Sequence, residues 1–327
     1  MKKENYNHII KEFKQINALV VGDIILDEYF VSQENGISPE ANVKKYKVEN
    51  HFYKIGGAGN VAVNLKSLNI NTCLFGQIGE DNNGEILKNL LKDNNLYSNN
   101  IIKNSNFTTT TKTRIISKKK HILRLDKENI KSCNNKLQLE KLFLNTIKNK
   151  KINLIIFQDY NKGFLTNQNI KSMIKIACKN KIFISVDPKN KNFFSYNNIN
   201  LFKPNLHEVN HSMRTKIKSS EFNKLKKIIC KLDRKIKSQH IITTIGENGI
   251  FYTDKNKIYH SKPYKIKLID PSGAGDVIIT IISLLIKIEF DIHKTMKIAN
   301  KCGSIVCQKT GVYALKKADF KKSLEKI

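Results

Sequence analysis

The chain has 327 residues, with 58 Lys+Arg against 28 Asp+Glu and a formal net charge of +30. A hydrophobic content of 40%, with its longest apolar run confined to Val277–Ile286, excludes a polytopic membrane protein, and the polar Met1–Ile10 segment lacks a secretory h-region. The charge is almost all lysine (only Arg114, Arg124, Arg214 and Arg234 are arginines) and is spread from end to end, so a solvated surface outweighs nucleic-acid binding, for which arginine is favoured.

In chain order, Ala18–Val21 reads as a short buried strand stopped by Gly22-Asp23, and Val43–Phe52 alternates as a strand with one wet face. Gly56-Gly57-Ala58-Gly59 opens a helix over Asn60–Leu68, with Val61, Leu65 and Leu68 on one face. Thr72–Ile78 reads as a strand and Asn83–Leu91 as a helix, followed by a hairpin, Thr108–Ser117 and His121–Leu125, around Lys118-Lys119-Lys120. From Asn153 the alternation is regular. Strands are expected at Asn153–Phe157, Ile182–Val186, Leu201–Lys203, His240–Thr244 and Gly249–Thr253, and helices at Asn167–Asn180, Phe222–Lys237 and Ala274–Ile288. Alternating β and α elements imply an α/β domain with a mostly parallel sheet. The strands near 30–52 and 108–125 interrupt that order and read as a small β lid on a single domain spanning residues 1–327.

The sharpest chemical signal is Asp270-Pro271-Ser272-Gly273-Ala274-Gly275-Asp276, entering an apolar helix. Gly273, Ala274 and Gly275 present backbone N–H groups at a helix start, an anion hole for developing negative charge. Asp276, in the first turn, is placed to take a proton from an attacking hydroxyl, as phosphoryl transfer requires. A second Gly-rich loop, Gly56-Gly57-Ala58-Gly59-Asn60, lets backbone approach a small ligand, with Asn60 as a two-way hydrogen bonder. Asp23 and Asp27, Asp187-Pro188-Lys189 and Asn205-Leu206-His207-Glu208 all follow strands, at the sheet edge where α/β proteins bind ligands.

These motifs resemble the ribokinase-like (PfkB) carbohydrate kinases over nearly the whole chain. The resemblance implies a three-layer sandwich with a β lid, ATP and Mg²⁺ as partners in the reaction, and a K⁺ site. Within that family, VVGDIILDEYF (20–30), ISPEANV (37–43), GGAGNVAVNL (56–65), RLDKE (124–128), DYNKGFL (159–165), DPKN (187–190) and KPNLHE (203–208) look like the branch that phosphorylates D-glycero-D-manno-heptose 7-phosphate at its anomeric hydroxyl, for ADP-heptose and lipopolysaccharide core synthesis. That kinase is often fused to an adenylyltransferase. No HxGH-type motif follows here, so a stand-alone kinase, or a half with a separately encoded partner, is expected. The alternative acceptors are ribose, fructose, fructose phosphate or adenosine.

Position by position, the resemblance makes Asp276 the catalytic base beside Gly273–Gly275. It makes Asp27 the sugar-hydroxyl acceptor, and Gly56, Gly57 and Asn60 the sugar-facing loop. Asn205, Leu206, His207 and Glu208 fall on the nucleotide side, with Glu208 ordering Mg²⁺ through water. Thr243, Thr244, Gly246 and Gly249 fall near the nucleotide, and carbonyls around Asp270 and Ser272 near K⁺. The distal phosphate needs cations, for which Arg124 stands out, with Lys162 and Lys189 as further candidates and Ser38 as a donor. Departures from the pattern are Ser272 for Thr, Pro271, Asn42 for Pro and His207, the last read as a spacer facing solvent; none removes a group the chemistry requires. A homodimer through the lid and a cytoplasmic location are expected, without nucleic acid or membrane. The six cysteines show no CxxC pair and no zinc spacing, and read as small buried hydrophobes.

Overall fold

A computed structural model describes residues 3–132, 136–253 and 256–325; Cys133 lies outside the described residues. The chain opens with α1 (Lys3–Phe13) and enters the main sheet at β1 (Asn17–Gly22). Two long strands follow, β2 (Ile24–Ile37) and β3 (Lys44–Gly57), then α2 (Ala58–Ser67), β4 (Asn71–Gly79), α3 (Asn82–Asp93) and β5 (Ile101–Asn104). The hairpin β6 (Thr108–Ser117) and β7 (Lys120–Asn129) precedes α4 (Lys136–Asn149), β8 (Leu154–Gln158), α5 (Asn167–Lys179) and β9 (Phe183–Asp187). Next come β10 (Leu201–Phe202), α6 (Leu206–Met213), α7 (Phe222–Ile236), β11 (His240–Thr244), β12 (Ile250–Thr253) and β13 (Ile258–Ser261). Helices α8 (Ala274–Lys287), α9 (Ile292–Val306) and α10 (Lys317–Leu324) close the chain.

The main sheet runs β13-β12-β11-β10-β9-β8-β1-β4-β5, parallel from β5 to β11 and antiparallel at the β11-β12-β13 end. Helices cover both faces, so β1 is apolar on both: Ala18 and Val20 join one core, Leu19 and Val21 the other. Each fully buried aliphatic or aromatic side chain contributes about 1.5–3 kcal/mol. Helix α8 is buried from Val277 through Leu285 except at Ile278, so its β-branched run is held helical by packing against α2 and α9.

The four-stranded second sheet, β3-β2-β6-β7, stands off the main one. Its first strand begins two residues after β1 ends, so Asp27 lies within strand β2 instead of in a loop. Helices α1, α4, α6, α9 and α10 were not anticipated. Helix α4 buries Leu139, Phe143, Thr146 and Ile147, a helical spacing hidden among lysines and asparagines. The main sheet changes winding direction between β1 and β8, and at such a switch point the carboxyl ends of strands leave a crevice. Among the described residues, no helix is long and apolar enough to cross a membrane.

Candidate active site

The crevice at the ends of β1 and β8 is occupied by the first turn of α8. Gly273 caps that helix at φ +82°, a left-handed conformation suited to glycine, and a Cβ there would sit 3.0 Å from Asn60 Nδ2. The Ala274 N–H donates to the Pro271 carbonyl at 3.2 Å, and a Cβ on Gly275 would meet nothing within 4 Å, so open space lies beside the start of the helix.

Asp276 is buried and receives hydrogen bonds from three directions. Asn60 Nδ2 donates to Oδ2 at 2.6 Å, and Tyr160 Oη and Gln158 Nε2 donate to Oδ1 at 2.9 and 3.2 Å. Burial pushes its carboxyl up to about 6, with the Asn60 and Tyr160 hydrogen bonds opposing and the nearby Asp187 adding to the rise. A carboxylate at this pKa is ionised at neutral pH yet able to accept a proton. Asn60 is itself held by Asn64, whose Oδ1 accepts the Leu315 N–H at 2.8 Å. Gln158 and Tyr160 were missed as site residues; they flank Asp159 where β8 ends, and the switch point is the signal that finds them.

Asp27 faces this floor from the lid. It pairs with Arg114 at 2.5 Å, and a Cβ on Gly56 would come within 2.1 Å of its Oδ2, so Gly56 keeps that carboxylate in place. Gly57, at φ +61°, lies beneath the Asp23 carbonyl and caps α2. Burial raises the Asp27 carboxyl, and Arg114 opposes the rise. Asp23, also buried, accepts from the backbone of Tyr160, Lys162 and Phe164, which fixes the loop that aims Tyr160 at Asp276.

On the other side of the crevice, Asp187 pairs with Lys203 at 3.1 Å and receives Gln158 Nε2. Lys189, expected at the sugar phosphate, pairs instead with Glu208 at 2.5 Å. The Asn205–Glu208 motif forms a reciprocal capping box at the start of α6, each side chain accepting the other's N–H at 2.8 Å. Glu208 Oε2 is thus committed to the backbone and Oε1 to Lys189. Leu206 is half-buried, and His207 is exposed, as a spacer should be. Thr243 is fully buried, with its Oγ1 lacking a hydrogen-bond partner. Gly246 (φ +62°) opens on space beside it, whereas Gly249 serves the turn, a Cβ there falling 2.1 Å from the Ser261 carbonyl oxygen. Thr244 is half-buried at the end of β11.

The Asp270 side chain locks the loop before α8, accepting from Ser272 N and Gly311 N at 2.9 and 2.8 Å and from His121 Nε2 at 2.9 Å. Burial raises its carboxyl, but these donors outweigh burial and hold it below the ordinary value of 3.8. His121, for which no ligand role was expected, thereby joins the lid to the loop that carries Asp270 and Ser272. Arg124 sits opposite Arg114 on exposed β7, paired with Asp126, and Lys162 pairs with Glu128. Ser38 lies at the tip of the β2–β3 hairpin, roughly 35 Å of extended strand beyond Asp27, so a single chain does not bring it to the site. Among the described residues, no group of three His, Cys, Asp or Glu side chains is arranged to hold a metal ion.

The sequence matches the pfkB family carbohydrate kinase profile over residues 15–318. The chain belongs to that family. It shares 34% identity over 298 residues with the bifunctional protein HldE of Helicobacter pylori (strain Shi470), covering 91% of this chain and 64% of that protein. It is likewise 34% identical to HldE of Aliarcobacter butzleri (strain RM4018) over 302 residues, covering 91% and 62%. The chain therefore spans less than two thirds of these relatives. The fold is ribokinase-like. Escherichia coli phosphofructokinase-2, in complex with substrates and products, superposes with a TM-score of 0.77 at 18% identity, covering 94% of this chain and 98% of that one. Arabidopsis thaliana ribokinase, complexed with ribose and ATP, gives 0.71 at 16%, covering 95% and 99%. As a pfkB carbohydrate kinase, the chain is an ATP-dependent sugar kinase, and its family uses a divalent metal with ATP.

Proposed function

We propose that this pfkB kinase phosphorylates D-glycero-D-manno-heptose 7-phosphate at the anomeric hydroxyl, giving the 1,7-bisphosphate for ADP-heptose and lipopolysaccharide core synthesis in the cytoplasm. The observation that carries the chemistry is the buried Asp276 carboxylate at the α8 N-terminus, held by three neutral donors opposite Asp27. The heptose acceptor is supported by the ISPEA, RLD, DYNKG and DPK segments and by the HldE similarity.

In this reading Asp27 accepts a sugar hydroxyl and Gly56 and Gly57 let the ring approach. Asp276 takes the anomeric proton as the sugar oxygen forms its bond to phosphorus and the bond to the departing ADP oxygen breaks. The Gly275 amide and the α8 dipole stabilise the charge on the transferring group. Thr243 and Gly246 border the nucleotide. Mg²⁺, when bound, neutralises the donor phosphates. Glu208 would act on it through water, because both its oxygens already have partners. The carbonyls of Asp270 and Ser272 are the proposed K⁺ ligands, in a loop kept in shape by the Asp270 side chain. Pairing of two lids would cover exposed Ile122, Leu123 and Leu125 on the edge strand β7; Leu123→Glu with Leu125→Glu should then convert a dimer to a monomer in sedimentation.

Coupled ADP release at fixed Mg·ATP tests the acceptor. Turnover is expected with D-glycero-D-manno-heptose 7-phosphate and not with ribose, fructose, fructose 6-phosphate or adenosine. A preference for any of the latter removes the heptose assignment and leaves the family chemistry standing.

A further inference from the structure

The cations around the cleft differ in whether they already have a counterion. Arg114 is paired with Asp27, Arg124 with Asp126, Lys162 with Glu128, Lys189 with Glu208 and Lys203 with Asp187. Lys54 donates to the Val312 carbonyl at 2.7 Å. Lys112, half-buried on β6, has no carboxylate within ion-pair distance among the described residues; its ammonium lies 4.8 Å from the centroid of the Tyr160 ring. Burial lowers its pKa, and the attraction of Asp27 and Asp126 does not make up the loss.

Its position is as informative as its lack of a partner. Cross-strand register aligns Lys54, Asp27, Lys112 and Asp126 in one row across β3, β2, β6 and β7. Residues in such a row share a face. That face looks onto the body of the protein, because Tyr29, two residues beyond Asp27, accepts the Val312 N–H on its hydroxyl at 3.1 Å. Lys112 is therefore one strand spacing, about 4.8 Å, from the residue that takes the sugar hydroxyl. It also touches Tyr160, whose hydroxyl reaches Asp276. The lysines nearer the nucleotide side, Lys189 and Lys203, are already neutralised.

We infer that Lys112 receives the distal phosphate of the acceptor and so selects a phosphorylated sugar over its unphosphorylated counterpart. This rests on the sugar-phosphate kinase reading above. Arg124, the arginine expected in that role, is exposed and engaged by Asp126, whereas Lys112 lies between Asp27 and Asp126 and among the described residues is ion-paired with neither.

The test compares wild type with Lys112→Met and Lys112→Arg, using acceptors in pairs: the heptose with its 7-phosphate, fructose with its 6-phosphate, and ribose with its 5-phosphate. Methionine keeps the aliphatic stem, and thermal unfolding confirms that each variant folds. In Lys112→Met the ratio of kcat/KM for the phosphorylated over the unphosphorylated member should fall roughly 10- to 100-fold, mainly through acceptor KM, and arginine should restore most of it. A ratio unchanged within about twofold overturns the assignment. So does an equal loss on both members accompanied by a raised KM for ATP, which would place Lys112 on the transferring phosphoryl group. If wild type prefers a sugar phosphate other than the heptose, the heptose reading falls and Lys112 is judged on that pair; if wild type ignores the phosphate in every pair, both fall.

Discussion

The floor of the cleft and the lid each bury an aspartate, and their surroundings tune the two carboxyls differently. Asp276 meets only neutral donors, Asn60, Gln158 and Tyr160, so burial prevails and its carboxyl rises to about 6. Asp27 is also raised by burial, but the Arg114 guanidinium at 2.5 Å favours its charged form. A carboxylate ringed by amides and a phenol gains a proton readily, and one against a guanidinium stays an acceptor. The two regions also differ in attachment. The floor is tied into α2, β8 and α8, whereas the lid meets the body through side-chain contacts: Tyr29, Lys54 and His121 near Val312 and Asp270, Thr109 and Thr111 at Gly79, Asp81 and Asn83, and Glu128 at Lys162. In the proposed reading the chemistry belongs to the floor and substrate selection to the lid.

The largest expected effect tests the floor. Asp276→Asn should cut kcat on the order of 10²–10⁴-fold while acceptor KM moves little; equal turnover would remove the base assignment. Gly56→Ala reaches the lid carboxylate by steric means. Its Cβ would fall 2.1 Å from Asp27 Oδ2, and displacement of that carboxylate should lower kcat/KM for the acceptor on the order of 10²-fold with the KM for ATP nearly constant. Wild-type kcat/KM should fall as pH drops through about 6, because the base must be ionised to accept a proton. Tyr160→Phe removes a donor that favours that ionised form, so its acid limb should move to higher pH, by about one unit at most; movement to lower pH would contradict the assigned hydrogen bond. The smallest effect should come from His121→Ala. Asp270 keeps its two backbone donors, so thermal unfolding should show a loss of about 1 kcal/mol, with a modest rise in acceptor KM if the lid seats through this contact.

Periodicity exposed most of the regular elements. The strand read at Asn153–Phe157 is β8 at Leu154–Gln158, the helix at Phe222–Lys237 is α7 at Phe222–Ile236, and the helix at Ala274–Ile288 is α8 within one residue. Elements with weak patterns escaped, among them α9, whose sequence mixes lysines, asparagines and Gly303 into the buried stripe. In the site, the glycines and Asp276 announced themselves because tight turns and helix starts need particular residues. Gln158, Tyr160 and Arg114 did not, since nothing local distinguishes a polar residue that faces a crevice from one that faces water. Asn205–Glu208 shows the converse: its spacing suggests a nucleotide motif and is at the same time a helix cap.

The order of apolar and polar residues by itself determined an α/β chain with a β lid and two glycine-rich helix starts, because periodicity and backbone freedom are local properties. Only the tertiary structure decided which charges meet: Arg114 with Asp27, Lys189 with Glu208, His121 with Asp270, and Lys112 with no carboxylate partner among the described residues. Side chains separated by 19 to 149 positions are brought within hydrogen-bond distance there. Ionic contacts depend on distance and burial in space, and neither is written in residue order.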